Sequence, residues 1–125
     1  MKVSVITVNY NDREGLLKTV QSVIGQSFID YEYIIIDGGS NDGSVDVIKQ
    51  YEDQITYWVS EPDKGIYNAM NKAIDVAKGD YCIFMNSGDT FCTLETLSNV
   101  FAQNPSEDIV CGNTCTVEKV KGAPE

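Results

Sequence analysis

The sequence contains no histidine. That removes a Ser-His-Asp or Cys-His relay from within the chain, because the imidazole is the base in both. It also removes the mixed cysteine and histidine sets that hold structural zinc. Long apolar runs are absent as well. Stretches such as Ile34-Ile35-Ile36 and Ile83-Phe84-Met85 fall far short of the roughly 20 residues that span a bilayer. Basic residues are scarce: 9 lysines and arginines face 19 acids, for a net charge of -10. Nucleic acid is excluded as a partner on that ground, since its affinity comes mainly from basic side chains, and a basic stripe for anionic lipid is lacking too. Two glycine signatures are also missing. No Gly-x-Gly-x-x-Gly follows the first apolar stretch, and no Gly-x-x-x-x-Gly-Lys-Ser/Thr occurs anywhere, which argues against a usual dinucleotide fold and against a P-loop.

What is present suits one folded domain. The chain has 125 residues, 42% of them hydrophobic, enough to bury a core. Of the four cysteines, Cys82, Cys92, Cys111 and Cys115, only the last two are close in sequence. Reduced thiols in or near the core are the expectation. The N-terminus enters an apolar run at once but shows no long signal-type segment. A cytoplasmic protein is expected, with peripheral attachment to the inner face of a membrane allowed.

Strand-like and helix-like segments alternate, the pattern of an α/β fold with a mostly parallel sheet. Val3 to Val8 reads as a first buried strand, and Asn11 or Asp12 as the cap of a helix with Leu16, Leu17, Val20, Val23 and Ile24 on one face. Tyr33 to Asp37 reads as a second strand. A turn cluster, Gly38 to Ser44, follows, with Asp42 capping a short helix. Ile55 to Val59 is the expected third strand. Ile66, Met70, Ala73, Ile74 and Ala77 form the next helical stripe, closed by Gly79. Tyr81 to Met85 is a fourth strand, Thr93 caps a helix through Phe101, and Asp108 to Cys111 is a short fifth strand. The stretch from Glu118 onward reads as a polar, poorly ordered tail.

In doubly wound sheets, ligands bind beyond the carboxyl ends of the strands. That rule selects Thr7 to Asn11, Asp37 to Ser40, Glu61 to Gly65 and Asn86 to Asp89. Asp37 has two readings. Its carboxylate can accept from a ribose hydroxyl or a base N–H beside glycines that permit close approach, or it can organise the turn through backbone N–H groups. Asp89 is the metal candidate, because a hard cation takes one or two carboxylates plus phosphates; an ordinary turn aspartate is the plain alternative. Lys64 with Asn68 or Asn71 can meet phosphate or sugar oxygens near a helix start, or can simply face solvent. A bound divalent cation would offset the repulsion between an anionic ligand and this acidic chain.

Four segments in order resemble family 2 glycosyltransferases with the GT-A fold. They are Val3 to Asn11, Ile34 to Ser44, Ser60 to Lys72, which is similar to a bacterial subgroup that builds surface polysaccharides, and Tyr81 to Asp89. The resemblance implies a Rossmann-like nucleotide-diphospho-sugar-binding fold with helices on both faces. It implies that Thr7, Asn9 and Asp37 line the nucleoside pocket, that Asp63 and the Lys64-Gly65 turn lie near the nucleotide, that Asn71 and Ser87 contact the donor, and that Asp89 binds Mn²⁺ or Mg²⁺. The implied reaction is an inverting transfer from a nucleotide diphosphate sugar, UDP-linked by family habit, to a glycan or lipid-linked acceptor.

Three departures qualify this. Gly38 stands where many relatives carry a second acid. Gly88 stands where the metal motif often has another aspartate. The family's catalytic domain is also longer than this chain. The expectation is therefore a donor-binding half at 1–115 with a polar tail at 116–125, no general base within the chain, and self-association through uncovered sheet surface. Two alternatives stand beside it: a catalytically inactive nucleotide-sugar-binding module, and a receiver-like signalling domain, whose paired acids and late lysine would fall on Asn9-Tyr10-Asn11 and Gly112-Asn113.

Overall fold

The computed structural model describes residues 3–27, 29–90, 109–110 and 116–119. Their order is β1 (Val3–Asn9), α1 (Arg13–Ile24), β2 (Tyr31–Asp37), α2 (Ser44–Gln50), β3 (Tyr57–Ser60), α3 (Ile66–Val76), β4 (Tyr81–Phe84), β5 (Ile109–Val110) and β6 (Thr116–Lys119). The strands form one sheet in the order β3-β2-β1-β4-β6-β5. The first four are mutually parallel, and β6 runs antiparallel to both β4 and β5. This is the expected mostly parallel α/β sheet. Among the described residues, no helix is long and apolar enough to cross a membrane.

The near-continuous apolar runs in β1, β2 and β4 follow from burial on both faces. Side chains alternate along each strand. Val3, Val5, Tyr33, Ile35, Tyr81 and Ile83 meet Leu16, Val20 and Val23 of α1 and Val47 and Ile48 of α2. Ile6, Ile34, Ile36 and Cys82 meet Ala69 and Ala73 of α3 on the other face. Small alanines bring α3 close to the sheet, while Ile74, expected in its buried stripe, is 40% exposed.

Several boundaries differ from the sequence reading for local reasons. β2 begins at Tyr31 rather than Tyr33. β3 begins at Tyr57, because a 3-10 turn at Glu52–Gln54 occupies the preceding chain and the Ile55 N–H is drawn to Glu52 O at 3.1 Å. Ile55 is still buried in the core. Asp12, not Asn11, caps α1 by accepting from Gly15 N at 3.1 Å. The cap of α2 is Gly43 at φ 96° rather than Asp42; Asp42 sits one residue earlier and accepts from Ser44 N and Oγ. Ala77, not Gly79, closes α3. Thr116–Lys119, expected within a polar tail, is a strand that pairs with β4 from Tyr81↔Lys119 to Phe84↔Thr116. The helix expected after Thr93, the ends of the expected fifth strand at Asp108 and Cys111, and Cys92 and Cys115 lie outside the described residues. Cys82 is buried as a reduced thiol.

Gly79 has a different task from the one expected. It lies beside the start of β1, where the Glu32 carboxylate accepts from Ser4 Oγ and from Lys78 N, each at 2.5 Å, and Ser4 Oγ accepts from Gly79 N at 2.9 Å. A Cβ on Gly79 would stand 2.6 Å from Ser4 N and from Val3 C. Both are backbone atoms of a central strand and have nowhere to go. Gly79→Ala should therefore lower the unfolding free energy by about 2–3 kcal/mol, read from urea denaturation. An unchanged midpoint would mean that the turn before β4 yields freely.

Candidate functional site

Parallel register carries β1, β2 and β3 to one rim of the sheet. Asn9 pairs with Asp37 and Asp37 with Ser60, so three polar side chains end adjacent strands in one row. The Asp37 carboxylate is fully buried. Its Oδ1 accepts from Asn9 Nδ2 at 2.8 Å and Ser40 Oγ at 2.7 Å. Its Oδ2 accepts from Gly39 N at 3.1 Å, Ser40 N at 2.8 Å and Ser60 Oγ at 2.7 Å. Burial pushes this carboxyl up, but the bonds from the Ser40 backbone and hydroxyl, Asn9 and Ser60 together outweigh it and hold it below the ordinary aspartate range.

Two loops are laced together above this row. Asn11, at φ 48°, donates its N–H to Ser40 Oγ at 2.7 Å and accepts from Asn41 N at 2.9 Å. Arg13 N donates to Asp42 Oδ2 at 2.9 Å. The hydrogen bond from Ser44 Oγ is the main cause holding the Asp42 carboxyl below its usual range. The turn after β4 joins from the other side. Ser87 Oγ donates to Asn9 Oδ1 at 2.5 Å, and Ser87 N to Val8 O at 3.2 Å. Within that turn, Asp89 N donates to Asn86 O at 2.8 Å and Asn86 N to Asp89 Oδ2 at 3.1 Å. Gly88 supplies the left-handed backbone at φ 99°.

These loops enclose a cleft of about 620 Å³, within the usual range for small-molecule sites. Val8, Asn9, Tyr10 and Asp12 line it from the first loop, Gly38 from the second, Pro62, Asp63 and Gly65 from the third, and Asn86 and Ser87 from the fourth. Tyr10 is 66% exposed, an aromatic face left open to the cleft. Gly38 explains the acid absent at that position. A Cβ there would lie 3.0 Å from Asp63 Oδ2 and 3.2 Å from Tyr10 Cδ1, so Asp63 brings a carboxylate to the same spot from the next loop.

Of the residues expected at the site, Asn9, Asp63 and Ser87 line the cleft. Thr7 lies below it, with its hydroxyl 2.7 Å from the Tyr33 hydroxyl; burial drives the Tyr33 phenol up, against the opposing effect of that bond. Asp37 forms the layer beneath Asn9. Lys64 is exposed, its N–H donating to Asn68 Oδ1 at 3.2 Å, and Asn71 is exposed on α3. Asp89 turns one carboxylate oxygen into its own loop. Among the described residues, no three acidic or cysteine side chains converge as a metal cage. Asn86 Oδ1, however, is a buried acceptor with no donor. Sequence reasoning places Tyr10 and Asn86 within the selected strand-end segments without giving either a role, and takes Asp12 only as a cap.

Asp37 supports a test on stability. A carboxyl whose folded value is lowered adds stability that is fully present above the unfolded value, near 4, and is lost as pH falls toward the folded value. Asp37→Asn should cost about 3 kcal/mol at pH 7, because a buried amide N–H₂ would face donors left without an acceptor. The gap between variant and wild type should narrow below about pH 4. Denaturation across pH measures both, and a gap that stays constant from pH 7 to pH 3 would show that the charge is not what matters.

Comparison with known proteins agrees with this architecture. A Mycobacterium tuberculosis protein named as an uncharacterized glycosyltransferase is 48% identical over 90 residues, covering 71% of this chain and 34% of that protein. TuaG of Bacillus subtilis, named as a putative teichuronic acid biosynthesis glycosyltransferase, is 42% identical over 90 residues, covering 70% and 36%. The chain thus spans about a third of the length of these curated relatives. Among solved structures, Staphylococcus aureus TarS 1-349 in complex with UDP-GlcNAc superposes with a TM-score of 0.74 at 25% identity, covering 82% of this chain and 30% of that one. At 16% identity, the mannosyltransferase PcManGT of Pyrobaculum calidifontis, in complex with GDP-Man and Mn²⁺, shares the fold with a TM-score of 0.81 over 94% of this chain and 44% of its own. The fold is therefore that of the GT-A glycosyltransferases, and a receiver domain is set aside. With residues 4–122 matching the model of Glycosyl transferase family 2, the chain belongs to that family.

Proposed function

We propose that this chain forms the donor-binding half of a transferase that moves a sugar from a nucleotide diphosphate, UDP by preference, to a glycan or lipid-linked acceptor in surface-polysaccharide synthesis. The observation that carries the reading is the open cleft at the carboxyl rim of the parallel strands, where a satisfied polar floor meets an exposed aromatic wall. Tyr10 offers a face for the base to stack on. Asp63, and Ser87 through the lone pairs its hydroxyl keeps, offer polar contacts to ribose and phosphate-proximal hydroxyls, and Gly38 and Gly65 let the ligand approach the backbone. Asp37 acts from beneath by orienting Asn9. The TarS complex supports UDP as the nucleotide, and TuaG supports a polysaccharide product.

The residues present fit a divalent cation that takes most of its ligands from phosphate and water. Asn86 Oδ1 and the Asp89 carboxylate are oxygen donors in one four-residue turn, and Asn86 Oδ1 is a buried acceptor without a partner. When bound, Mn²⁺ or Mg²⁺ would stabilise the departing diphosphate. The acidic rim makes such a counter-charge necessary for an anionic donor. Transfer with inversion requires an acceptor hydroxyl and a base, which we assign to the part of the relatives that extends past this chain. A binding-only module shares every feature of this cleft, and a turnover assay separates the two.

Calorimetry with UDP should show affinity that rises strongly with Mn²⁺. Asp89→Ala should weaken that metal-dependent binding about 100-fold, with Asp89→Asn intermediate because it keeps an oxygen for Asn86 N. Tyr10→Ala should weaken UDP binding about tenfold, as expected for a lost stacking partner, with little change in melting temperature. Equal affinity with and without Mn²⁺ would refute the metal role, and no UDP binding under any condition would refute the donor site.

A further inference from the structure

We infer that Thr19, midway along α1, is the positioning residue of the 86–89 turn and thereby sets how readily the donor rim takes up a divalent cation; this deepens the proposed donor reading and rests on it. Thr19 is fully buried. Its hydroxyl oxygen lies 2.7 Å from Asp89 O, 3.2 Å from Asn86 O and 3.0 Å from Gly88 N. One hydroxyl thus grips three backbone groups of the turn, donating its proton toward the two carbonyls and accepting from the amide. Residues 19 and 86–89 are remote in sequence, so this is a tertiary contact and not a local motif.

Two features argue against Thr19 as a mere core filler. A helical threonine commonly turns its hydroxyl back to the carbonyl four residues earlier. Here that position is Gly15, whose carbonyl accepts from Gly88 N at 3.1 Å, while the Thr19 hydroxyl reaches out to the turn. Gly15 and Thr19 therefore form a notch one helical turn long into which the turn seats. Furthermore, the carbonyls held by Thr19 belong to Asn86 and Asp89, the residues that carry the candidate cation ligands. Freed from Thr19, both would keep their side chains but lose their fixed placement, and precision of placement governs cation affinity in sites with few protein ligands.

The test compares wild type, Thr19→Val and Thr19→Ser. Thr19→Val preserves shape and removes the hydroxyl; Thr19→Ser keeps the hydroxyl. Amide hydrogen exchange without ligand should quicken at Gly88 in Thr19→Val, with the amides of α1 unchanged. The Mn²⁺ concentration for half-maximal UDP binding should rise about tenfold, while metal-free UDP affinity stays within about twofold, and Thr19→Ser should restore wild-type behaviour. A folded Thr19→Val with wild-type Mn²⁺ dependence overturns the inference and leaves the donor reading intact. Equal loss of metal-free and metal-dependent binding also overturns it, since that marks a general collapse of the cleft. Wild type without Mn²⁺-dependent UDP binding removes the donor reading and this inference together, and the wild-type arm identifies that case by itself.

Discussion

Five hydrogen bonds on the Asp37 carboxylate hold the functional rim together. They come from β1, from β3 and from the loop after β2, so one buried charge joins three strands and a turn. Bonds to a charged acceptor are stronger than neutral ones, and here they outweigh the cost of taking the carboxylate out of water. The consequence passes upward. With its amide nitrogen committed to Asp37, Asn9 presents its oxygen to Ser87, and Ser87 stands at the head of the turn that carries Asn86 and Asp89. A relay of oriented dipoles thus runs from the sheet to the candidate cation ligands.

The cleft divides into a floor whose polar groups are occupied by one another and a wall that carries the exposed Tyr10 ring and the Asp63 carboxylate, whose Oδ1 accepts from Gly65 N at 3.0 Å. The floor is Asp37, Asn9, Ser40 and Ser60. The wall is Tyr10, Asp63, Gly38 and the edge of the 86–89 turn. A saturated floor resists reorganisation when a ligand enters, which is the condition for a preorganised site. The wall is acidic, so the anionic donor proposed for it calls for a positive companion. Asn86 Oδ1 adds to that argument, because a buried oxygen without a donor is uncommon in a folded protein.

Much of the fold was legible because its core elements obey simple periods. β1, β2 and β4 are buried on both faces and read as unbroken apolar runs; α1 shows its inward stripe. β6 was not legible. Thr116-Val117-Glu118-Lys119 has no amphipathic pattern of its own, and pairing with β4 and β5 makes it a strand. Within the site, Asp37 was visible as an acid at a strand end, and its two readings stood level. The structure shows it organising its turn, with donors from Asn9 and Ser60 that lie far away in sequence and leave no local trace. Thr19 was invisible for the same reason: within an apolar helix stripe it reads as filler.

Ser60, which closes the Asp37 cluster from one side, belongs to β3, a four-residue strand at the edge of the sheet whose residues are at most half-buried. Edges of this kind open locally long before the whole domain unfolds. Each such fluctuation withdraws one donor from Asp37 Oδ2 and loosens the row that orients Asn9. Breathing of the sheet margin is thereby transmitted to the rim, so the lifetime of the ordered cleft is tied to the fraying of a strand that does not line it.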